Sequence, residues 1–370
     1  TIIGYGSHVE DSEISHGKPF TEQEIEKLKQ KLNINNKFLE FNNDVKEYVK
    51  EILKHKQEII LKETELLKEY KKQYPKEYKM LKGYFDFSFN EKGILSLQKL
   101  NVQNNLSTRE NNHNVLNHIA KLVPNMIGGS ADVNSSSMVY LDNEEYFNNN
   151  FAGRNIHFGI REHAMAGISN GITLFGGMNA FCSCYLSFSD YLKPSLRMSA
   201  LMNLPVFYQF SHDNFLIGED GPTHQPIEQL VSLRATPNIA VFRPYNNTEI
   251  LGAYSYYLSE KKPTVLVLSK EKVENQPTSI ENALKGGYVV FKELADLKGV
   301  MLTSGIETKF AINIAQKLKN LRVVSLPCFE LFDKQSEKYK QSVLTNKPKI
   351  ALEFSSSYSY FKYCNNGLYL

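Results

Sequence analysis

The stretch from residue 153 to residue 225 decides how the rest of this 370-residue chain is interpreted. It opens with GRNIHFGIREHAMAG at residues 153–167 and closes with HD at residues 212–213 and GEDGPTHQ at residues 218–225. Between these motifs lies an aromatic group formed by Tyr185, Phe188 and Tyr191. A carboxylate, stacking rings and imidazoles on loops between strands and helices predict the wall of a cofactor pocket.

Glu162, within the first motif, has two interpretations. Residues 162–175 show a helical pattern, and the helix dipole favours a glutamate in a first turn, which is an ordinary structural role. The alternative is a buried carboxylate that faces a ligand nitrogen. Aromatic residues at spacing three are also more often core than cofactor site. The glycine-rich loop with two histidines favours the functional interpretation, because loops carry binding residues disproportionately.

Composition excludes several classes of protein. A net charge of +3 argues against a dedicated nucleic-acid binder, and no apolar run approaches the length of a membrane span. The four cysteines are scattered, which favours a reducing compartment such as the cytoplasm over a disulfide framework. Cys182 and Cys184 have no second cysteine pair to complete a metal site, so buried strand thiols are the favoured interpretation.

Strand and helix patterns alternate through the middle of the chain. Strands are predicted at residues 125–129, 155–159, 177–183, 205–210, 239–242 and 264–268. Helices are predicted at residues 109–122, 162–175, 188–202, 226–235 and 248–259. This alternation predicts an α/β fold with a doubly wound parallel sheet. Ligands bind at the carboxyl ends of such strands, and Asp132, Glu162, His212 and Asp220 each follow a predicted strand.

The flanking regions predict different structures. Residues 1–6 suggest a strand and residues 7–17 a loop, whereas residues 44–70 have the spacing of an amphipathic helix with solvated charged faces. Residues 83–99 suggest a crossing into the next domain. Residues 280–370 predict a small α/β domain with strands at 288–291, 300–303, 323–326 and 350–354 and a helix at 307–318. Ser304-Gly305 is a weak signal for a phosphate cradle.

Four motifs together resemble the transketolase family. They are residues 153–167, residues 218–225, GGSAD at residues 128–132, and the opening residues 1–17 with GYGS and His16-Gly17. The resemblance runs in order over nearly the whole chain and implies three parts: residues 1–100 as the end of the diphosphate-binding domain with a helical connector, residues 101–275 as the pyrimidine domain, and residues 276–370 as the C-terminal domain. Relative to the family, both ends are expected to be missing.

The resemblance implies thiamine diphosphate as cofactor and assigns it six residues. Glu162 would hydrogen-bond the aminopyrimidine ring and activate the cofactor, and Phe188 would stack on that ring. Tyr185 and Tyr191 would line its pocket, with Tyr185 at a position where the family often has phenylalanine, so that its hydroxyl needs a partner. Val133 would be an apolar prop where the family commonly has leucine, and Asp132 would support the interface beneath the site.

The resemblance also implies a reaction, the reversible transfer of a two-carbon ketol unit between sugar phosphates. The donor would be a ketose phosphate such as xylulose 5-phosphate, and the acceptor an aldose phosphate such as ribose 5-phosphate or erythrose 4-phosphate in the pentose phosphate pathway. His16 would transfer protons, His224 would act on the cofactor and the reacting carbon, and Asp220 would bind a substrate hydroxyl. The substrate phosphate would be held by Arg109, Ser136, His212 and Lys270, with lysine where the family usually has arginine.

Other expectations concern groups outside the chain. The sequence has no Gly-Asp-Gly motif, so the ligands for Mg²⁺ or Ca²⁺ are expected in a preceding domain and none here. The family resemblance implies a homodimer. Two alternatives stay open: a related thiamine diphosphate synthase of the deoxyxylulose-phosphate or dihydroxyacetone type, and a non-catalytic fragment.

Overall fold

The computed structural model describes residues 1–35, 37, 40–100, 105–147, 150–273, 278–364 and 368–369. The chain divides into two compact units, Thr1–Tyr78 and Lys79–Leu370. The predicted domain boundaries at residues 100/101 and 275/276 fall on residues 101–104 and 274–277, outside the described residues. No helix in the described part of the chain is long and apolar enough to cross a bilayer.

The first unit consists of turns and helices. A 3-10 turn at Glu13–His16 precedes α1 (Glu22–Lys31) and α2 (Asn43–Gln73), and α3 (Pro75–Asp86) crosses the boundary. A capping box starts α1, in which the Thr21 hydroxyl accepts from the Glu24 N–H and the Glu24 carboxylate accepts from the Thr21 N–H. No residue of α2 is buried, so the helix predicted at residues 44–70, with solvated charged faces, is confirmed.

The strand predicted at residues 1–6 is wrong. Residues 3–6 form turns, and the N–H of Ser7 donates to the carbonyl of Gly4 over 2.9 Å. Gly4 and Gly6 have φ of +65° and +80°, values that glycine adopts readily and that an extended strand excludes. The local glycine pattern therefore overrides the strand-forming tendency of the neighbouring isoleucines.

A six-stranded sheet forms the centre of the second unit. Its strands are β1 (Met126–Ser130), β2 (Asn155–His157), β3 (Asn179–Tyr185), β4 (Phe207–Ser211), β5 (Ala240–Phe242) and β6 (Thr264–Leu268). The spatial order is β2-β1-β3-β4-β6-β5, and every pair is parallel. The helices of this layer are α4 (Phe89–Leu97), α5 (Thr108–Leu122), α6 (Asn134–Ser137), α7 (Glu162–Phe175), α8 (Ser189–Leu201), α9 (Gln229–Arg234) and α10 (Asn247–Glu260). The predicted doubly wound parallel sheet is confirmed.

Both faces of this sheet are covered. Neighbouring residues of β4 alternate between two cores: Phe207 packs with residues of α5 and α10, whereas Tyr208 packs with residues of α7 and α8. Strands buried on both faces are continuous apolar runs, as TVLVL in β6 shows. Residues 83–99, predicted as a crossing, contain α4, whose Leu97 belongs to the core shared with α5 and α10.

A second, mixed sheet forms the C-terminal part. It contains β7 (Tyr288–Phe291), β8 (Gly299–Thr303), β9 (Leu321–Ser325), β10 (Lys349–Leu352) and β11 (Leu368–Tyr369) in the order β11-β10-β8-β9-β7. Only β7 among these described strands runs antiparallel to its neighbour. Four helices accompany it: α11 (Ile280–Leu284), α12 (Glu307–Leu318), α13 (Phe329–Asp333) and α14 (Glu337–Leu344). The predicted small α/β domain is confirmed, although α11, α13 and α14 were not predicted.

All four cysteines are buried, and Cys182, Cys184 and Cys328 form no disulfide. Cys182 and Cys184 lie on β3 in the core shared with α7 and α8, so the interpretation as strand thiols is confirmed. Burial raises the pKa of the Cys182 thiol to about 12, which keeps it protonated.

Candidate cofactor and substrate site

Three of the predicted site residues, Tyr185, His212 and Lys270, lie at the carboxyl ends of adjacent strands. Register pairs Tyr185, the last residue of β3, with Ser211 of β4, and Ser211 with Leu268 of β6. His212 and Lys270 follow these strand ends within two residues. Parallel strands end at the same edge of a sheet, so residues far apart in sequence become neighbours here.

Four rings form a cluster at this edge, formed by Tyr185, Phe188, His212 and His224. The Tyr185 and Phe188 rings are stacked with centroids 5.7 Å apart and planes within 17°. The Tyr185 and His212 centroids are 3.8 Å apart, and the His224 ring meets Phe188 edge-on at 4.9 Å. The structure therefore joins the predicted aromatic residues to two of the predicted histidines.

Tyr191 lies at the margin of this ring cluster. It is in the first turn of α8, 64% exposed, with its centroid 6.0 Å from that of Phe188. Tyr191 therefore borders the Phe188 ring while most of its own side chain remains exposed to solvent. Its predicted role in lining the cofactor pocket stays a prediction.

The hydroxyl of Tyr185 has a protein partner. It donates to Oγ of Ser136 over 2.6 Å, and the carbonyl oxygen of Ser136 accepts from Nη1 of Arg109. The Ser136 hydroxyl in turn donates to the carbonyl of Val133 over 3.3 Å. The partner that the sequence analysis required for this tyrosine is thus Ser136, and the serine hydroxyl is already engaged on both sides.

Glu162 starts α7 and is half-buried, not buried as the functional interpretation expected. Its carboxylate makes no hydrogen bond or ion pair within the part of the chain that the structure describes. Its charge lies close enough to Cys184 that, after burial and Cys182, it helps to raise the pKa of that thiol. A carboxylate at a helix N-terminus without a protein partner is free to accept a hydrogen bond from a ligand.

His212 is the most perturbed residue of the site. It is buried at φ +61°, and its Nδ1 lies 2.9 Å from the hydroxyl of Ser211. Burial lowers its pKa to about 4, with further lowering by the positive charges of Lys270 and Arg109. His212 is therefore neutral at pH 7 and acts as a hydrogen-bonding group instead of a cation.

Three further candidates, Arg109, Lys270 and Asp220, act electrostatically on His212. Arg109 is half-buried on α5, and Lys270 follows β6 with its Nζ 3.9 Å from Oδ2 of Asp220. Asp220 ends the exposed 3-10 turn Gly218–Asp220, next to a second such turn, Pro222–His224. The charges of Lys270, Arg109 and Asp220 all act on the pKa of His212, which shows that they share one electrostatic environment.

The turn after β1 carries two more candidates. Asp132 is exposed at φ +62°, and the N–H of half-buried Val133 donates to Oγ of Ser130 over 2.9 Å. His16 is exposed at the end of the 3-10 turn Glu13–His16 in the first unit. The roles assigned to these three residues stay predictions.

A buried ion-pair group lies behind the site, which sequence analysis missed. Arg243, directly after β5, is fully buried and pairs with Asp213 at 2.9 Å and Glu307 at 2.8 Å. Glu353, after β10, pairs with both Arg243 and Arg234. Burial, opposed by the charge of Arg243, raises the pKa of Glu307 to about 7. The sequence signal was Asp213 itself, quoted beside His212 but given no role.

The Ser304-Gly305 turn belongs to this ion-pair group. The Ser304 hydroxyl donates to Glu353, and a Cβ added at Gly305 would lie 2.8 Å from Cζ of Arg243. Gly305 also has φ of +61°, which favours glycine. The guanidinium of Arg243 packs against this turn, and its Nη1 donates to the carbonyl of Ser304 over 3.3 Å.

Comparison with known families matches three successive parts of the chain. The transketolase thiamine diphosphate binding domain matches residues 1–87, the transketolase pyrimidine binding domain residues 104–276, and the transketolase-like C-terminal domain residues 286–369. Their order agrees with the three parts that the resemblance implied.

Individual proteins give the same result. A chloroplastic transketolase of Craterostigma plantagineum is 36% identical, covering 98% of this chain and 72% of the relative. The structure of transketolase from Leishmania mexicana superimposes with a TM-score of 0.90 at 33% identity, covering 100% of this chain and 56% of that one. A Pichia stipitis transketolase in complex with sedoheptulose 7-phosphate has a TM-score of 0.89 at 32% identity, covering 100% and 57%. The chain spans 57% of the length of several curated transketolases.

Proposed function

This chain belongs to the transketolase family, and on that premise we propose that it supplies the pyrimidine side of a transketolase active site. The reaction is the reversible transfer of a two-carbon ketol unit from a ketose phosphate, such as xylulose 5-phosphate, to an aldose phosphate. One observation carries the proposal: the ring cluster of Tyr185, Phe188, His212 and His224 lies at the strand ends beside the cationic residues Arg109 and Lys270.

The residues present suit the aminopyrimidine half of thiamine diphosphate. Phe188 offers a half-buried ring for stacking, and Tyr185 supports that ring from one side. Glu162 has a carboxylate without a protein partner in the described chain, which matches a ring nitrogen that must be hydrogen-bonded. When bound, thiamine diphosphate supplies the nucleophilic carbon and stabilises the charge that develops as the ketose carbon–carbon bond breaks.

The protein groups orient the substrate and move its protons. His224, whose ring meets Phe188 edge-on, would act on the cofactor and the reacting carbon. Proton transfer is assigned to His16. Asp220 accepts a hydrogen bond from a substrate hydroxyl, which sets stereochemical preference. Arg109 and Lys270 provide the positive charge for the phosphate, while neutral His212 adds a hydrogen bond.

A divalent cation, Mg²⁺ or Ca²⁺, is expected to accompany the diphosphate. Both cations require several oxygen ligands, and the diphosphate would supply part of the set. The sequence has no Gly-Asp-Gly motif, and no group of three metal-binding side chains occurs among the described residues. We assign the protein ligands to a part of the enzyme outside these 370 residues.

Apolar surface on α7 and α8 supports a homodimer. Ile168, Leu174 and Phe175 of α7 and Met198 and Leu201 of α8 are exposed. A cavity of about 680 Å³ next to α7 is lined almost wholly by apolar side chains. Clustered apolar surface of this kind marks a protein interface, and α7 begins at Glu162, so a second copy seated there would border the site. Sedimentation of the complete protein at several concentrations tests this proposal, and a monomer throughout would reject it.

A donor and acceptor screen tests the activity. The complete protein with thiamine diphosphate and Mg²⁺ is expected to convert xylulose 5-phosphate and ribose 5-phosphate, and to use neither pyruvate as a donor nor formaldehyde as an acceptor. Turnover with pyruvate or with formaldehyde would favour the related synthases. No turnover with any pair would favour a non-catalytic protein, and intact mass spectrometry of the natural protein decides whether a longer chain exists. The buried thiols of Cys182, Cys184 and Cys328, which form no disulfide, support a cytoplasmic location.

A further inference from the structure

Three of the four candidate phosphate-binding residues, His212, Lys270 and Arg109, adjoin a polar network behind the site. His212 is followed by Asp213 and Asn214, and Lys270 is followed by Glu271. The side chain of Asn214 contacts those of Asp213 and Glu271, although Asn214 follows β4 and Glu271 follows β6, more than fifty positions later in the sequence. The positions of His212 and Lys270 are therefore coupled through the residues that follow them in the chain.

Asn214 is the central residue of this network. Its Nδ2 donates to Oδ1 of Asp213 over 2.9 Å and to Oε2 of Glu271 over 3.3 Å, and its Oδ1 accepts from the N–H of Leu216 over 2.8 Å. It is 1% exposed. Because ionised carboxylates only accept hydrogen bonds, the amide must point its nitrogen at both acids. Asn214 thus bridges two like charges that would otherwise repel each other.

The Glu271 side of the network reaches Arg109. Oε2 of Glu271 also accepts from the hydroxyl of Ser269, whose N–H donates to Oγ1 of Thr108 over 2.7 Å. The carbonyl of Ser269 accepts from the backbone N–H of Arg109 over 3.2 Å. The first turn of α5, where Arg109 lies, is consequently tied to the residue that precedes Lys270.

The Asp213 side is anchored in the buried ion-pair group. Nε of Arg243 donates to Oδ2 of Asp213 over 3.0 Å, and Arg243 is held by Glu307 and Glu353 near the second sheet. A buried pair of this kind resists displacement, because separating its charges in a low dielectric is costly. Asp213 therefore gives Asn214 a fixed point from which to hold Glu271.

We propose that Asn214 is a positioning residue for the substrate phosphate. By bridging Asp213 and Glu271 it sets the separation of His212 from Lys270 and Arg109, and so the affinity for the phosphate group. This inference rests on the proposed function, because it takes these three residues as part of the phosphate site. An asparagine that only stabilised its loop would affect phosphorylated and unphosphorylated substrates alike.

The test replaces Asn214→Asp in the complete enzyme with its cofactor. The substitution keeps the size of the side chain but sets a third carboxylate between two others. KM for ribose 5-phosphate is expected to rise about tenfold, the effect of losing one charge-assisted hydrogen bond. KM for glycolaldehyde and kcat with either acceptor are expected to stay within about twofold, because neither depends on the phosphate.

Two matched variants complete the cycle. Glu271→Gln keeps an oxygen that accepts from Asn214, so its KM values are expected to match wild type within about twofold. Combining Asn214→Asp with Glu271→Gln lets the new amide donate to the new carboxylate. This restores the link to position 271 but not the one to Asp213, so part of the rise in KM for ribose 5-phosphate should be reversed. Asn214→Ser, which removes the bridge without adding charge, serves if Asn214→Asp does not fold, and it is expected to show the same selective rise.

The outcomes separate this inference from the function on which it rests. A wild-type enzyme without two-carbon transfer overturns both. An active wild type whose Asn214 variants raise KM equally for both acceptors, or for neither, overturns the positioning role alone. A selective rise in KM for ribose 5-phosphate that the double variant reverses in part supports it.

Discussion

Ser136 and Tyr185 are joined by a 2.6 Å hydrogen bond from the tyrosine hydroxyl to the serine Oγ, across 49 positions of sequence. The bond links the end of β3 to α6, and the carbonyl of Ser136 continues the connection to Arg109. The ring cluster and the cationic side of the site are therefore physically connected through one serine. Removing only the hydroxyl of Tyr185 would break this connection and leave the contact between its ring and Phe188.

Tyr185→Phe is expected to test that connection. Removing the hydroxyl leaves the ring stacked on Phe188 but deletes one hydrogen bond, so the free energy of unfolding should fall by about 1 kcal/mol. The turnover rate should change less than twofold, because the ring performs the stacking. Urea unfolding and steady-state kinetics measure the two quantities. A large loss of turnover without loss of stability would show that the hydroxyl acts on the substrate.

Glu162→Gln should leave the fold intact and remove most of the turnover. The amide keeps the size of the side chain, and Glu162 has no protein partner in the described chain whose loss would destabilise α7. A neutral amide cannot stabilise a protonated ligand ring as a carboxylate does. The steady-state rate at saturating thiamine diphosphate is the measurement, with thermal unfolding as the control for folding. Turnover close to wild type would reject Glu162 as the activating residue.

Lys270→Ala should weaken the binding of phosphorylated acceptors selectively. Its KM for ribose 5-phosphate is expected to rise about tenfold, whereas KM for glycolaldehyde should barely change. Arg109→Ala should have the larger effect, again only with phosphorylated substrates, because a guanidinium grips two phosphate oxygens and a lysine is a mobile point charge. If Lys270→Ala raised KM equally for both acceptors, Lys270 would have a structural role and would not bind the phosphate.

His212 should make the protein less stable as the solution becomes acidic. Burial and the charges of Lys270 and Arg109 lower its pKa from 6.5 to about 4. The unfolded chain therefore binds the proton first, and stability is lost as the pH falls from about 6.5 to about 4. His212→Asn suits the positive φ at this position and removes the titrating group.

The measurement for His212 is urea unfolding at pH 7 and pH 5. The wild type should lose more stability between these two values than His212→Asn does. Identical losses in both proteins would show that His212 is already charged, or equally accessible to protons, in the folded state.

Much of the fold could be predicted because its signals are local. The helix at residues 162–175 and the strands at 264–268 and 288–291 have the bounds that their apolar periodicity predicts. The strand at residues 1–6 was wrong because two glycines impose turns. The helices α11, α13 and α14 were missed since five to eight residues are too few for a helical period to stand out.

The candidate site, like the fold, has features that the sequence predicts and features that it does not. The identities of Glu162, Phe188, His212 and His224 stand in motifs that can be read along the chain, and the alternation of strands and helices predicts that they meet at one sheet edge. The protonation of His212 could not be predicted, because it depends on burial and on charges that approach it from other strands.

Local pattern alone determined the α/β class and the parallel sheet, since side-chain periodicity and turn chemistry act over a few neighbouring positions. The bridge from Asn214 to Glu271 exists only in three dimensions. It forms because β6 lies beside β4 while β5, which precedes β6 in the chain, lies at the sheet edge. That order is set by the packing of helices on both faces. The neutral state of His212, the burial of Arg243 and the hydrogen bond of Tyr185 to Ser136 likewise depend on the tertiary structure.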